Sequence, residues 1–258
     1  MNQPIRQHRG RTRFNVYHLA LFRDFSEEGR WPAKEPAAIA ERIGLTGLSQ
    51  AVLAQPLDRK RLRELVADRS NVSDHDILWA ILIWGGINFA NGPRLAKSDF
   101  TPLVEEISKL RGGAAERSNR ALAYDGMSRT IASNEISGIA PAFFTKLIFF
   151  AAPKLNGYIM DQWTARSLNL VCQKPFIRIT KNGWVEPRNT PEIYEKFCHT
   201  VEQLTLDCDF GSAEETEMRL FGTGGRAKKA CTWRKHVRKL PVARPGSKKD
   251  SDTSEHVS

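Results

Sequence analysis

Lys146 is the residue whose position most directly suggests chemistry. It lies in the stretch 136–168, within the apolar segment FFTKLIFF, where a chain folding for stability alone rarely places an ammonium group. Pro141 predicts a helix that begins near Ala140 and ends before Pro153, so Lys146 falls within its first two turns. The positive helix end and the apolar neighbours both lower the pKa of the amine from roughly 10.4, and a neutral amine is a nucleophile. The other interpretation is a lysine that extends from a buried helix to solvent.

Asp161 is the second candidate, because it immediately precedes the helical pattern QWTARSLNL. An aspartate in this position is typical of a helix N-cap, and that role alone explains it. The two interpretations are compatible, since a capping carboxylate is held rigidly and stays ionised. Beside the neutral amine of Lys146, such a carboxylate suits the cleavage of a glycosidic bond: it stabilises the oxocarbenium-like sugar while the amine attacks the anomeric carbon.

Ser137-Gly138-Ile139 predicts a tight turn between two helices, just before the lysine. Such a turn can direct main-chain N–H groups and the positive end of the following helix at a phosphate. The pattern is weak by itself, because most helical proteins contain several turns of this kind.

The elements that must position these residues are mostly helices, as the periodicity of the apolar residues indicates. We predict about ten, and their clearest signals are a short helix over 37–43 ended by Gly44, a helix capped by Asp58, an apolar one capped by Asp74 that ends at Trp84-Gly85-Gly86, an amphipathic one over 101–110, one over 115–132 with a break at Gly126, one begun by Thr190-Pro191, and one from a Ser212/Glu215 capping box to Phe221. Residues 14–25 are compatible with helix or strand, and a Lys-Asn-Gly turn near residue 182 predicts a small hairpin. The fold class is mainly α with little β structure.

The net charge of +10 is concentrated at the two ends of the 258-residue chain. Residues 1–13 carry +4 and residues 222–258 carry +7, so residues 14–221 sum to −1. We therefore predict a basic flexible arm over 1–13, a helical domain over 14–221, and a basic, disordered tail over 222–258. Basic ends suit a polyanion such as nucleic acid, although a tail that only aids solubility explains the last fifteen residues equally well.

The cysteines and the hydropathy restrict the other classes. The four cysteines have no spacing typical of a metal site, so we expect reduced thiols, no metal, no cofactor and a cytoplasmic location. The most apolar stretch, residues 77–90, is too short to span a bilayer, and no signal peptide is evident.

The stretch 136–168 resembles the helix-hairpin-helix DNA glycosylases, and most closely divergent bacterial members of the 8-oxoguanine DNA glycosylase branch. The residues that carry the resemblance are Gly138-Ile139 in the hairpin, Thr145-Lys146 early in the second helix, and Tyr158-Ile159-Met160-Asp161 before the next helix. The resemblance implies that Lys146 is the Schiff-base nucleophile and that Asp161 supports departure of the base. It further implies DNA contacts from Gly138, Ile139 and Thr145, and a base pocket formed by Trp84, Gly85, Glu217 and Phe221.

The sequence also departs from the family pattern. Ala140-Pro141-Ala142 stands where the hairpin usually has a second glycine, and the Lys146–Asp161 separation is shorter than in the eukaryotic enzymes. No N-terminal β-rich domain and no iron–sulfur cysteine pattern are evident.

The functional prediction is a monomeric DNA glycosylase that flips a modified base out of double-stranded DNA and cleaves its glycosidic bond, with strand cleavage if a Schiff base forms. The substrate implied by the family is an oxidised purine, and a hypermodified base of phage DNA is the alternative, with a role in defence. Two other classes stay open: a helix-hairpin-helix module that binds DNA without turnover, and a helical protein–protein adaptor, against which the basic C-terminal segment argues.

Overall fold

The computed structural model describes residues 11–28, 31–87, 90–112, 119–222 and 230–246. Within these ranges the chain is mainly helical, as the sequence predicts. The helices, in chain order, are α1 (Val16–Phe25), α2 (Pro36–Ile43), α3 (Gln50–Leu53), α4 (Arg59–Ala67), α5 (Asp74–Trp84), α6 (Gly92–Leu95), α7 (Thr101–Arg111), α8 (Arg120–Ser133), α9 (Pro141–Ala151), α10 (Gln162–Val171), α11 (Pro191–Cys208), α12 (Ala213–Phe221) and α13 (Thr232–Lys239). A 3-10 helix over Pro153–Leu155 follows α9.

Helices α5 and α9 lie at the centre of the protein. Every residue of α5 from Asp76 to Trp84 is buried, because the helix is apolar on all sides. Helix α9 is buried from Phe144 to Ala151, and it packs against α4, α5, α7 and α8. A buried helix has no solvent face on which to place a charge, so Lys146 on α9 is held inside the protein.

Little β structure is present in the described residues, where three isolated bridges occur. One of them joins Ile179 to Val185 and closes the predicted small hairpin around the Lys-Asn-Gly turn. Gly183 in that turn has φ +87°, a conformation that glycine adopts without a steric cost. Another bridge joins Phe14 to Cys172. Of the two alternatives for residues 14–25, helix or strand, the structure therefore has a helix that follows a short extended segment.

Two local predictions about helices are wrong. Ser73 rather than Asp74 caps α5, because the Ser73 hydroxyl accepts from the Asp76 N–H while the Asp76 carboxylate accepts from the Ser73 N–H. Helix α8 continues through Gly126 without a break, since its packing against α7, α9 and α11 outweighs the weak helix propensity of glycine.

The predicted capping box of α12 is half formed. The Ser212 hydroxyl accepts from the Glu215 N–H as expected. The Glu215 carboxylate instead accepts from the Gly211 N–H at 3.1 Å and from Arg219 Nε at 2.8 Å, so an arginine one turn later competes for it.

Both predicted flexible ends are partly ordered. Thr12 exchanges two main-chain hydrogen bonds of 2.8 Å with the Gln203 amide, so residues 11–13 lie against α11 rather than in a flexible arm. The prediction of a disordered tail from residue 222 is wrong for 230–246. There α13, although rich in basic residues, buries Trp233 and Val237 in the core. The remaining residues of both predicted ends lie outside the described part of the chain.

The four cysteines are unpaired and buried. Burial raises the pKa of the Cys172 and Cys198 thiols to about 12, so these cysteines are inert core residues at neutral pH. Among the described residues, no helix has both the length and the apolar character needed to cross a membrane.

Candidate active site

A small cavity lies between four of the helices and the two segments that precede α2 and α10. Its lining residues are Trp31, Arg59, Trp84, Lys146, Ile159, Asp161, Glu217 and Phe221. The cavity volume is about 20 Å³, which is space for about one water molecule. Lys146 and Asp161, which the sequence predicts to act as a pair, therefore line the same small cavity.

The Lys146 side chain is buried, with 7% of its surface exposed, so it does not extend to solvent. Its Nζ donates to the Ala142 carbonyl at 2.6 Å, one turn back along α9, and lies 5.3 Å from the centre of the Phe143 ring. Burial lowers the pKa of Lys146, the Asp161 and Glu217 carboxylates oppose that shift, and the Arg59 guanidinium adds to it. Lys146 is thus an amine whose neutral form the site favours.

Asp161 is the N-cap of α10, as predicted. Its Oδ1 accepts hydrogen bonds from the main-chain N–H groups of Trp163 at 2.7 Å and Thr164 at 3.0 Å, and the Thr164 hydroxyl accepts from the Asp161 N–H. Within the described residues, the hydrogen bonds to this carboxylate all fall on Oδ1, so Oδ2 is available to the cavity. The cap fixes the carboxylate and leaves one oxygen for a ligand.

Glu217 of α12 and Arg59 of α4 form the polar wall of the cavity. Arg59 Nη2 donates to Glu217 Oε2 at 2.6 Å, and the Glu217 side chain is 1% exposed. Burial raises the pKa of Glu217, Arg59 opposes this, and the carboxylates of Asp161 and Glu214 raise it further. Two carboxylates, Asp161 and Glu217, and two basic groups, Arg59 and Lys146, therefore interact around one small cavity.

Three aromatic side chains, together with Ile159, form the rest of the wall. Trp31 lies 6.2 Å from Trp84 and 5.3 Å from Phe221 between ring centres, and its Nε1 donates to the Trp84 carbonyl at 2.5 Å. The Trp84 Nε1–H is buried and has no hydrogen-bond partner in the described residues. The wall thus offers flat surfaces for a planar ring and one free donor.

The predicted hairpin lies between α8 and α9. Gly138 has φ +97°, and a Cβ there would meet Arg94 Nη2 at 3.2 Å and Leu95 Cδ2 at 3.3 Å. The main-chain N–H groups of Gly138, Ile139 and Ala140 donate no hydrogen bond within the described part of the chain. Three unused donors beside an arginine form the kind of site that holds a phosphate.

Two predicted site residues have other positions. Thr145 is fully buried, which places it out of reach of DNA: its hydroxyl donates to the Pro141 carbonyl at 2.6 Å and accepts from the Met160 N–H at 3.1 Å. It ties α9 to the loop before Asp161. Gly85 does not line the cavity but lies against the lysine stem, where a Cβ would come within 3.2 Å of Lys146 Cδ.

Sequence reasoning missed Trp31 and Arg59. Trp31 precedes a proline in a segment without periodicity, and Arg59 is one of four basic residues in the pattern RKRLRELVA. Neither residue carries a local signal, because each reaches the cavity only through the packing of its element against α5 and α12. The predicted pocket residues Trp84, Glu217 and Phe221 do line the cavity.

The fold is mainly helical, which is consistent with an all-α glycosylase-like protein. Residues 25–221, which are 197 of the 258, match the family model described as "Putative 8-oxoguanine DNA glycosylase OGG-like protein", and the chain belongs to this family. The match supports a glycosylase-type function on DNA. Comparison with curated proteins and with solved structures gives no match.

Proposed function

We propose that this protein is a DNA glycosylase that takes a modified base into the cavity and cleaves its N-glycosidic bond with Lys146 and Asp161. The observation that carries the proposal is that a buried lysine and a capped aspartate, from α9 and the start of α10, line one cavity with aromatic walls. The family to which the chain belongs supports the same reaction class.

Lys146 attacks the anomeric carbon in its neutral form. The new bond from Nζ to this carbon forms as the bond to the base breaks, and the base leaves with the electron pair and takes up a proton. Loss of the lysine proton and opening of the sugar ring then give an imine. The lowered pKa of Lys146 makes the neutral amine more accessible than in an ordinary lysine, and β-elimination at the imine would cleave the strand.

Asp161 stabilises the positive charge that develops on the sugar. Its free Oδ2 can approach the sugar, while the two main-chain hydrogen bonds to Oδ1 hold the carboxylate in place. Phe221 and Trp31 would stack on the base, Trp84 Nε1–H would donate to an acceptor on it, and Glu217 would accept from one of its N–H groups.

The substrate class is an oxidised purine or a hypermodified base of phage DNA. An oxidised purine carries an added carbonyl oxygen, which suits the free donor of Trp84, and an added N–H, which suits the Glu217 carboxylate. A bulky phage base would require a wider opening between Trp31 and Phe221. The two substrates are distinguished by mass spectrometry of the bases released from oxidised DNA and from phage DNA.

Borohydride trapping on a duplex with a modified base tests the proposal. We expect a covalent adduct with the wild type, none with Lys146→Ala, and an unchanged yield with Lys154→Ala, whose lysine is exposed eight residues further on. Asp161→Asn should lower the rate of base release roughly 10²-fold or more. Adduct formation by Lys146→Ala would exclude Lys146 as the nucleophile.

The second candidate is a helix-hairpin-helix module that binds DNA without turnover, favoured by the three unused N–H groups of the hairpin. Tight binding of modified duplexes without base release, across the oxidised and phage-derived substrates, would establish that function instead.

A further inference from the structure

Three arginines gather on α10 and α13, beside the cavity. Arg234 is buried, with 4% of its surface exposed, Arg166 is half-buried, and Arg238 is exposed. Arg166 and Arg234 hold the ring of Trp163, at 5.0 and 3.5 Å from the ring centre to the guanidinium carbon. The three arginines are therefore increasingly buried in the order Arg238, Arg166, Arg234, and they extend from the surface to the interior.

The hydrogen bonds of the two inner arginines go to main-chain carbonyls. Arg166 Nη2 donates to the Val237 carbonyl at 3.1 Å, and Arg234 Nη1 donates to the carbonyl of Phe221. The Nε of Arg234 is buried and has no hydrogen-bond partner in the described residues. A carbonyl does not neutralise a guanidinium, so these contacts orient the two inner arginines without balancing their charge.

The cations also act on one another. Burial lowers the pKa of Arg166, and the nearby Arg238 lowers it further. Burial lowers the pKa of Arg234 to about 10; Asp161 opposes the shift, while Arg238 and Arg166 add to it. Asp161 is the carboxylate that acts on Arg234, and it also acts on Lys146, so one carboxylate interacts with two buried basic groups.

The cluster adjoins the wall of the cavity. Arg234 lies 5.0 Å from the ring centre of Phe221, which lines the cavity, and Trp163 follows Asp161 by two residues. The hairpin turn at 181–184 packs against the outer side, since a Cβ on Gly183 would meet Arg166 Cδ at 3.2 Å. This turn extends the surface with the cation of Lys181 and the exposed ring of Trp184.

We propose that Arg166, Arg234 and Arg238 form a phosphate-binding site for the DNA strand beside the nucleotide in the cavity. Helix α13 supplies two of the three arginines and lies beyond the residues that match the family. The assignment of the anion as a DNA phosphate rests on the proposed function. The phosphate would supply a negative charge to Arg166 and Arg234. Because Arg234 contacts Phe221, binding of the phosphate would also affect the position of Phe221 in the cavity wall.

Salt-dependent binding to an unmodified duplex tests the site without any need for base release. The test variant is Arg166→Gln/Arg238→Gln, which leaves the buried Arg234 in place. The control is Arg42→Gln/Arg69→Gln, which removes two exposed arginines elsewhere and changes the net charge equally. Arg166→Lys/Arg238→Lys keeps the charge, and circular dichroism checks that every variant is folded.

We expect the test variant to lose about tenfold or more in affinity at about 150 mM salt and to reduce the slope of log K against log salt by about 2. The control should lose about twofold or less, and the lysine variant should keep most of the slope. Equal losses in the test and control variants, or an unchanged slope in the test variant, would overturn the phosphate site.

The outcomes separate this proposal from the preceding one. Loss of affinity in the test variant, together with no base release by the wild type on any modified duplex, supports the phosphate site and removes the glycosylase. Base release by the wild type, together with DNA affinity that is unchanged in the test variant, supports the glycosylase and overturns the phosphate site.

Discussion

Arg59 Nη2 donates to Glu217 Oε2 at 2.6 Å and joins α4 to α12 across the cavity wall. The guanidinium also lies 5.8 Å from the ring centre of Trp84 and 5.0 Å from that of Phe149. Arg59 therefore balances a carboxylate that is 1% exposed and packs against the aromatic wall. Arg59 opposes the rise that burial causes in the pKa of Glu217, and it adds to the fall in the pKa of Lys146.

Arg59→Ala should lower the free energy of unfolding by about 3 kcal/mol at neutral pH, because it leaves Glu217 buried without its partner. The pKa of Glu217 is already raised, and the substitution raises it further. A raised carboxyl pKa favours the folded state at low pH, and this contribution is lost as the pH rises, so the cost should be smaller near pH 5 than near pH 8. Urea unfolding at both pH values measures the difference.

Arg63→Ala is the matched control for this prediction. Arg63 lies one turn further on α4, is half-exposed, and pairs with Glu214, so its loss should cost about 1 kcal/mol or less. Arg59→Ala/Glu217→Gln should recover part of the lost stability. An equal cost for Arg59→Ala and Arg63→Ala would show that the Arg59–Glu217 pair is not an important buried contact.

Lys146→Met should make the protein more stable, because it removes a buried amine whose pKa burial has lowered. The unfolded chain takes up a proton on Lys146 below about pH 10.5, whereas the folded chain resists until a lower pH. The gain over the wild type should therefore be small above pH 10.5 and grow as the pH falls toward the folded pKa. It amounts to about 1.4 kcal/mol for each pH unit between the two values.

Denaturant unfolding of both proteins between about pH 6 and pH 10 measures this gain. Lys154→Met is the control, since its lysine is exposed and its effect should stay within about 0.5 kcal/mol at every pH. A gain that does not vary with pH would mean that the folded state does not perturb the amine. The expected combination of higher stability and lost activity is the usual sign of a strained functional residue.

The helices could be predicted because their signals are local. Asp58 before α4 and Thr190 before α11 each accept a hydrogen bond from a main-chain N–H three residues later. Pro141, at the start of α9, has no N–H that would need a partner. Helix α13 escaped prediction because its basic, polar composition is typical of disorder. Its stability comes from Trp233 and Val237, which pack on helices distant in sequence.

The residues of the candidate site likewise divide into those with a local signal in the sequence and those without one. Lys146 and Asp161 could be recognised because an ammonium in an apolar helix and an aspartate before a helix are both local anomalies. Arg59 and Arg234 could not, because an arginine in a basic helix is ordinary until its neighbours in space are known. The family resemblance implies a DNA contact for Thr145, yet its hydroxyl satisfies two main-chain groups in the core, a role that no pattern reveals.

Trp31→Ala should widen the range of bases that the site accepts. The cavity of about 20 Å³ is too small for a purine, so part of its wall must move when a base enters, and we expect this part to lie between Trp31 and Phe221. The Trp31 ring lies against Phe221, and its Nε1–H holds the Trp84 carbonyl, so its removal loosens this wall. Single-turnover base release should shift toward bulky bases over small ones by about tenfold.

Trp31→Phe is the control, because it keeps a ring against Phe221 and removes only the hydrogen bond. We expect its preference between bulky and small bases to change by less than about threefold. A ratio that is unchanged in Trp31→Ala would place the entry of the base elsewhere on the cavity wall.

Gly138→Ala should weaken binding to DNA of any sequence. Its φ of +97° strains an alanine by about 1–2 kcal/mol, and the added Cβ would press on Arg94 Nη2 at 3.2 Å and on Leu95. Both effects displace the three unused N–H groups that would hold a phosphate. Affinity for an unmodified duplex should fall about tenfold, while base release at saturating DNA should change little, since phosphate contacts position the strand without acting on the bond.

Gly47→Ala separates the loss of the phosphate site from simple backbone strain. Gly47 has φ +82°, and a Cβ there would meet no atom within 4 Å, so the substitution carries a similar strain without the clash. Both variants should lose similar stability in thermal unfolding, and only Gly138→Ala should lose DNA affinity in anisotropy titrations. Equal affinity in the two variants would mean that the N–H groups of the hairpin do not contact DNA, and that the cavity must receive its base through contacts made by other surfaces.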